Sequence, residues 1–128
     1  MTNDIEKLVL IVDDEEMNLI VLSKILQRAG YEVATATNGQ EAINRIKQGP
    51  VPGIILMDLM MPIMSGWDAT QVLKEDPNTS TIPVIAVTAL SSERDSTLEF
   101  GFNGLCPKPI DFNNLIRMIE SHFQKKSA

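Results

Sequence analysis

Continuous apolar runs alternate along the chain with stretches whose apolar residues recur every three or four positions. Leu8–Val12, Ile54–Met57 and Val84–Val87 are uninterrupted apolar runs, which is typical of strands buried on both faces of a sheet. Tyr31–Ala36 mixes apolar and polar positions and therefore predicts a less buried edge strand. Leu105–Pro107 predicts a short fifth strand, and its proline favours the other edge of the sheet.

Apolar residues at helical spacing predict five helices that follow these strands in turn. The inward-facing residues predicted for the first, second, third and last helices are Leu19, Leu22, Leu26, Ala29, Ala42, Ile43, Ile46, Ala69, Val72, Leu73, Phe112, Leu115, Ile116, Ile119 and Phe123. The fourth helix, from about Ser92 to Phe100, is mostly polar, so we expect it to be the most loosely held. Five alternations of strand and helix predict a parallel sheet with helices on both faces.

Length and composition predict one ordinary globular domain over residues 1–128, with its core at about residues 8–123. The net charge is −6 and no basic stripe is present, which argues against direct nucleic-acid binding. No apolar run approaches the roughly 20 residues of a membrane span, and the first residues lack the features of a secretory signal. We therefore expect a cytoplasmic protein that does not bind membranes.

Three single-copy residues are given ordinary structural interpretations. Cys106 is the only cysteine, so no internal disulfide can form, and we expect it to be a small buried apolar residue. His122 is the only histidine, and its place beside the apolar stripe of the last helix predicts a residue at the rim of the core. Trp67 follows Gly66 and could lie either in the core or beside the predicted crevice.

Polar side chains follow four of the five predicted strands. Asp13 and Asp14 follow the first strand, and Asp58 follows the apolar run of the third. Thr88 ends the fourth strand, and Lys108 follows the fifth. Each residue alone has an ordinary explanation, such as a helix start, a turn or a surface lysine. Because the carboxyl ends of parallel strands meet at one edge, the set as a whole predicts a single site there.

Phosphoryl chemistry explains why these residue types would meet. Three carboxylates in one crevice repel each other, and burial raises their pKa values, so a divalent cation and Lys108 are needed to keep them ionised. Mg²⁺ prefers oxygen ligands and screens an approaching phosphoryl group from a negative nucleophile. Lys108 and the Thr88 hydroxyl suit phosphoryl oxygens. We predict that Asp58 is the nucleophile that accepts the phosphoryl group.

These residues resemble the receiver domain of two-component response regulators, the CheY-like domain, over nearly the whole chain. The matching motifs are Asp13-Asp14 after an apolar strand, Asp58 followed by Met61-Pro62 and Gly66, Thr88-Ala89, and Lys108-Pro109. The resemblance implies an α/β fold with a doubly wound five-stranded parallel sheet in the flavodoxin-like order 2-1-3-4-5. It also implies a cis Lys108–Pro109 peptide bond, which costs little before proline.

The resemblance further implies a phosphorylation-activated switch without an output domain of its own. Asp58 would take a phosphoryl group from the phosphohistidine of a sensor histidine kinase or a histidine phosphotransfer protein. The implied Mg²⁺ ligands are Asp13, Asp14, Asp58 and the backbone carbonyl of Met60, and the implied phosphoryl contacts are Thr88 and Lys108. We expect a monomer or weak dimer whose fourth helix, fifth strand and last helix bind a downstream protein.

Two other functions stay open at this point. The family usually carries Tyr or Phe three residues before the lysine, where this chain has Leu105, so a constitutive protein-binding module with a weakened aromatic switch is one alternative. The other is a Mg²⁺-dependent phosphatase that forms an aspartyl phosphate. Such enzymes commonly place an acid two residues after the nucleophile, and Met60 occupies that position here, so we do not predict a turnover enzyme.

Overall fold

The computed structural model describes residues 7–89 and 94–127. Its strands are β1 (Leu8–Val12), β2 (Glu32–Ala36), β3 (Ile54–Asp58), β4 (Val84–Thr88) and β5 (Gly104–Pro107). Its helices are α1 (Glu16–Arg28), α2 (Gly39–Gln48), α3 (Gly66–Glu75), α4 (Arg94–Phe100) and α5 (Phe112–Ser127). Strand and helix alternate as the apolar pattern predicts. The predicted start of the fourth helix at Ser92 lies outside the described residues.

The five strands form one parallel sheet in the order β2-β1-β3-β4-β5, which confirms the predicted fold. Every residue of β1, β3 and β4 is buried, because these strands have neighbours on both sides and helices on both faces. The edge strand β2 has one buried position, Ala36. The chain leaves β1 for β2 on one side and returns to β3 on the other, so the carboxyl ends of β1 and β3 flank the crevice typical of this topology.

Two apolar clusters pack on opposite faces of the sheet. Leu10 and Val12 of β1 point toward the cluster formed with α2 and α3, which we call the α2–α3 core. Val9 and Ile11 point toward the cluster formed with α1 and α5, because side chains alternate between the faces of a strand. The single cysteine, Cys106, is buried in this second cluster, as predicted.

Three predicted inward-facing residues are in fact exposed. One is Phe112, the first residue of α5, which is 36% exposed. The buried stripe of α3 is Gly66, Ala69, Thr70 and Leu73. Val72 lies on the flank of that stripe and is 40% exposed, because each residue turns an α-helix by about 100° and its neighbour Leu73 already points into the core. Ala29 is exposed because α1 ends at Arg28. No helix in the described part of the chain is long and apolar enough to cross a membrane.

Candidate functional site

Three carboxylates meet where β1 and β3 end. Asp13 directly follows β1 and Asp58 is the last residue of β3, and the pairing of Val12 with Met57 sets the two strand ends side by side. One carboxylate oxygen each from Asp13, Asp14 and Asp58 lies within 4.8 Å of the others. Asp13 and Asp58 are buried, whereas Asp14 is exposed at the mouth of the crevice. The convergence predicted from residues far apart in sequence is therefore present.

Among the described residues, Lys108 is the only lysine that forms ion pairs, and its partners are two of these carboxylates. Its Nζ lies 3.4 Å from Asp58 Oδ2 and 3.8 Å from Asp13 Oδ2. The backbone N–H of Lys108 donates to the carbonyl oxygen of Thr88 at 2.9 Å, which ties the end of β5 to the end of β4. The Lys108–Pro109 peptide bond is cis, as the resemblance implies. One flexible cation thus faces two buried acids.

The Asp13 carboxylate is held by the beginning of α1. Its Oδ1 accepts from the backbone N–H of Glu15 at 2.9 Å, and its Oδ2 accepts from the side-chain Nδ2 of Asn18 at 3.1 Å. Sequence reasoning missed Asn18, because polar residues are common in the first turn of a helix and nothing in the pattern shows which way this one points. Its position five residues after Asp13, within the first turn of α1, is the signal that could have found it.

Asp58 is buried among groups with opposing effects on its charge. Its Oδ1 accepts from the backbone N–H of Met60 at 3.1 Å. Burial raises the pKa of Asp58, and the neighbouring Asp13 carboxylate raises it further. The Met60 N–H and the Lys108 ammonium lower that pKa but do not fully offset the rise. Without a further cation, the ionised form of Asp58 is therefore held at a cost in the folded protein.

The raised pKa of Asp58 predicts a more stable protein when this carboxyl is neutral. The stability that comes from the protonated form is fully present below the unfolded-state pKa and is lost as pH rises through the higher folded-state pKa. Asp58→Asn removes this loss, so at neutral pH, without divalent cations, we expect its free energy of unfolding to exceed the wild-type value. Urea denaturation across pH in the presence of a chelator measures the difference, which should shrink in acid; a less stable variant at neutral pH would contradict the prediction.

A close approach between α3 and the end of β3 explains Gly66. Its N–H donates to the Leu59 carbonyl oxygen at 3.2 Å. A Cβ on Gly66 would overlap the backbone oxygen of Asp58 and would lie 2.9 Å from the Leu59 Cα. These neighbours are backbone atoms of the strand end that carries Asp58, so they cannot move without moving the site. Only glycine fits here without shifting that strand end.

Ile63, in the loop between β3 and α3, has a strained backbone. Its φ is +69°, and the Met64 N–H donates to the Pro62 carbonyl oxygen at 2.7 Å. This three-residue γ-turn is rare, and a β-branched residue with positive φ is an outlier. The side chain is 83% exposed and buries little to offset the strain. The strained residue lies in the loop that leaves the Asp58 end of β3.

Replacing Ile63 by glycine should therefore stabilise the fold. Glycine adopts positive φ without a Cβ clash, although its unfolded chain has more entropy to lose. We expect Ile63→Gly to raise the free energy of unfolding by about 1 kcal/mol in chemical denaturation. Val51→Gly is the matched control, because Val51 is also an exposed β-branched loop residue but lacks positive φ; it should lose stability. Equal losses for both variants would rule out strain at Ile63.

Two other predicted site residues, Thr88 and Met60, lie at the same end of the sheet as the acids. Thr88 is buried at the end of β4. The Met60 side chain is 70% exposed, and the Met60 N–H donates to Asp58 Oδ1. The role of the Met60 carbonyl as a metal ligand stays a prediction.

Leu105 is partly buried and packs against the α2–α3 core. Trp67 packs against the same core, with the rings of Phe100 and Phe102 at 5.1 and 5.4 Å, which favours the core interpretation of this residue.

The donor atoms of the acidic cluster suit a hard divalent cation. Asp13, Asp14 and Asp58 all offer carboxylate oxygens, and neither cysteine nor histidine belongs to the cluster. Oxygen-only ligand sets are typical of Mg²⁺ and Ca²⁺, and Mg²⁺ commonly binds through one or two carboxylates together with phosphate oxygens and waters. The exposed Asp14 leaves one side of the cluster open to such ligands. The residues present therefore fit a magnesium ion.

Comparisons with known proteins agree with this architecture. The family model of the response regulator receiver domain matches residues 9–120. The polar-differentiation response regulator DivK of Brucella anthropi is 36% identical over 118 residues, which cover 91% of this chain and 95% of DivK. Response regulator PleD of Caulobacter vibrioides is 40% identical over 115 residues, or 88% of this chain, which spans only 25% of PleD.

One solved structure with the same fold was determined together with a ligand. Response regulator TrrA of Thermotoga maritima, determined in complex with Mg²⁺–BeF, superposes with a TM-score of 0.81 at 28% identity, covering 91% of this chain and 98% of TrrA. The similarity to DivK extends over nearly the full length of both proteins, and the receiver family model covers most of the described chain. The chain belongs to the family of response regulator receiver domains, and it is a phosphorylation-activated switch of two-component signalling.

Proposed function

We propose that Asp58 is the phosphoacceptor of this switch. The observation that carries the proposal is a buried carboxylate at a strand end, 3.4 Å from the Lys108 ammonium and within 4.8 Å of the carboxylate oxygens of Asp13 and Asp14. Asp14 is exposed, and Asp13 Oδ2 lies 3.8 Å from the Lys108 Nζ, whereas Asp58 is buried and its Oδ2 accepts a hydrogen bond from that Nζ at 3.4 Å. Asp58 is thus the acid best placed to form a covalent bond.

The proposed step transfers a phosphoryl group from a phosphohistidine to Asp58. A carboxylate oxygen of Asp58 forms a bond to phosphorus while the bond between phosphorus and the histidine nitrogen breaks, and the nitrogen keeps that electron pair. The product is an acyl phosphate on Asp58 and a histidine free of phosphate. Lys108, which reaches Asp58 Oδ2 before transfer, can turn to the new phosphoryl oxygens as a compact positive charge. The Thr88 hydroxyl is proposed to donate to another of these oxygens.

We propose that Asp13, Asp14 and Asp58 hold Mg²⁺, with the Met60 backbone carbonyl as a further ligand. When bound, the ion neutralises charge on the phosphoryl oxygens and on the acids. The Met60 N–H and the Glu15 N–H fix Asp58 Oδ1 and Asp13 Oδ1, so both carboxylates are oriented before any ligand arrives. This pre-orientation suits a reaction that depends on position and charge more than on acid–base help.

We infer that the phosphodonor docks on exposed apolar residues around the crevice. Receiver domains interact with histidine kinases. The exposed large apolar residues nearest in sequence to the acids lie on α1 and in the loop after β3, and an apolar surface beside a polar site commonly marks a protein interface. They are Met17, Ile20, Val21, Met60 and Ile63. A sensor histidine kinase or a histidine phosphotransfer protein is the proposed partner.

We propose that the downstream protein binds the surface formed by α4, β5 and α5. Leu98 and Phe100 on α4 and Phe112 on α5 are exposed large apolar residues. These elements adjoin the strand ends that carry Thr88 and Lys108, so a change at those residues can reach them directly. In NMR spectra, amide shifts induced by phosphorylation should concentrate on α4, β5 and α5, and shifts confined to the opposite face would contradict this surface.

We also propose that the domain does not turn over phosphoester substrates. The position two residues after Asp58, where aspartyl-phosphate phosphatases commonly place an acid, holds Met60. No carboxylate therefore stands there to protonate a leaving group or activate water. Steady hydrolysis of a generic phosphoester in the presence of Mg²⁺ would contradict this conclusion.

Incubation with acetyl phosphate tests the proposal directly. In the presence of Mg²⁺, intact-protein mass spectrometry should show the gain of one phosphoryl group, and the gain should be absent when a chelator replaces Mg²⁺. Binding of a downstream partner should then differ between the phosphorylated and unmodified forms. Phosphorylation without any change in partner affinity would instead favour a constitutive binding module in which Leu105 replaces the aromatic switch residue.

A further inference from the structure

Asp13 and Asp58 each accept from a backbone N–H at Oδ1 and from a side chain at Oδ2, but the side-chain donor is the neutral Asn18 amide for Asp13 and the Lys108 ammonium for Asp58. The Glu15 N–H binds Oδ1 at 2.9 Å, and the Asn18 amide binds Oδ2 at 3.1 Å. Lys108 approaches the same Oδ2, but only to 3.8 Å. Because a carboxylate can only accept, the Asn18 amide presents its nitrogen to Oδ2. Asn18 is thus the neutral donor at an oxygen that the lysine also approaches.

We propose that Asn18 is a positioning residue that orients the Asp13 carboxylate for the divalent cation. The inference rests on the proposed cation site and concerns how that site is held together. Asn18 does not touch the reacting atoms of Asp58; it acts through Asp13. Groups that hydrogen-bond a metal-binding carboxylate fix its orientation and keep it ready to bind.

Asn18 and Lys108 have different roles in the proposed site. Lys108 lies between Asp13 Oδ2 and Asp58 Oδ2, and in the proposed reaction it turns toward phosphoryl oxygens. When Lys108 has turned away, the Asn18 amide remains as the side-chain donor to Asp13 Oδ2. Without this amide, the Glu15 N–H would still hold Oδ1 of the buried Asp13, but Oδ2 would lose its neutral donor and could turn away from the Asp58 carboxylate, which repels it.

The local fold explains why Asn18 can do this. It lies in the first turn of α1 and is partly buried, and the next residue, Leu19, anchors the helix in the core. The Asn18 backbone is therefore fixed relative to the end of β1, where Asp13 lies. Few rotatable bonds separate that backbone from the amide, so a rigid helix sets the position of the donor.

Direct cation binding tests the proposal without requiring phosphorylation. Mn²⁺ is the probe, followed by electron paramagnetic resonance of the free ion, and Mg²⁺ is measured by the rise it causes in Tm. Asn18→Ala removes the amide, and Asn18→Leu keeps the shape but removes the donor. We expect both variants to bind Mn²⁺ and Mg²⁺ about tenfold more weakly, the lower end of the range for residues of this kind.

Asn44→Ala is the matched control, because Asn44 is an exposed helical asparagine on α2 whose side-chain oxygen accepts from Gln40 Nε2. It should leave cation affinity unchanged. In acetyl phosphate reactions, the Mg²⁺ concentration for half-maximal phosphorylation should rise in both Asn18 variants, while the level reached at saturating Mg²⁺ stays near wild type. A residue that only stabilised the fold would lower the apo Tm without weakening cation binding.

Cation affinities within about twofold of wild type in both folded variants would overturn the proposal. Tighter binding would overturn it as well, since Asn18 would then compete with the cation for Oδ2. Circular dichroism establishes that each variant is folded before binding is measured. If the wild-type protein binds Mn²⁺ through Asp13 but is never phosphorylated, the phosphoacceptor proposal fails while the role of Asn18 can still be judged.

Discussion

Asp58→Asn will abolish the gain of a phosphoryl group from acetyl phosphate in the presence of Mg²⁺. The side-chain amide is nearly the same size and can still accept the Met60 N–H through its oxygen, so the crevice keeps its shape. It lacks the ionised oxygen that attacks phosphorus, and it cannot form an acyl phosphate by this route. Incorporation measured by intact-protein mass spectrometry should fall by at least about two orders of magnitude.

Asp68→Asn is the control for this result. Asp68 is an exposed acid in the first turn of α3, outside the three-carboxylate cluster, so the same change there should leave incorporation at the wild-type level. Equal incorporation by Asp58→Asn and wild type would show that another residue accepts the phosphoryl group. Chemical denaturation of Asp58→Asn, which we expect to be more stable than wild type at neutral pH, checks that a loss of incorporation does not come from unfolding.

Gly66→Ala will destabilise the fold strongly and disturb the site at the same time. The added Cβ would overlap the Asp58 backbone oxygen and would approach the Leu59 Cα to 2.9 Å. Backbone atoms in a central strand cannot yield as a side chain does, so either α3 or the end of β3 must shift. We expect a loss of about 3 kcal/mol in the free energy of unfolding by chemical denaturation. Any folded fraction should be phosphorylated more slowly.

Gly104→Ala provides the comparison. A Cβ on Gly104 would meet the end of the flexible Met118 side chain at 3.0 Å, and that atom can move aside. We therefore expect a loss below about 1 kcal/mol, and phosphorylation by acetyl phosphate should be unchanged. If Gly66→Ala were as mild as this control, the close packing between α3 and the end of β3 would not constrain the site.

The strands were predictable because a strand that is buried on both faces has an uninterrupted apolar run in the sequence. The apolar runs of β1, β3 and β4 are where the structure has its fully buried strands, and the mixed composition of β2 matches its exposed edge. Helix faces were harder, because α3 has only 10 residues and its apolar positions are compatible with more than one buried stripe. The packing of α3 against the sheet turns Thr70 inward and Val72 outward.

The site was predictable to the extent that strand ends determine it. Acids, a threonine and a lysine that end four strands must meet at one edge of a parallel sheet, whatever the details of the loops. Residues of the site that do not end a strand follow no such pattern in the sequence. Asn18 is a first-turn residue of α1, and only its contact with Asp13 shows that it belongs to the crevice.

By itself, the sequence determined the parallel sheet, the acidic crevice and the candidate phosphoacceptor, because apolar runs and their polar ends are local features of the chain. Tertiary structure alone decided which groups hold those acids and at what distance. It placed Lys108 between Asp58 and Asp13, set the Asn18 amide on Asp13, and packed Gly66 against the Asp58 backbone. Hydrogen bonds and close approaches depend on the relative positions of distant segments, and hydrophobic periodicity does not encode these positions residue by residue.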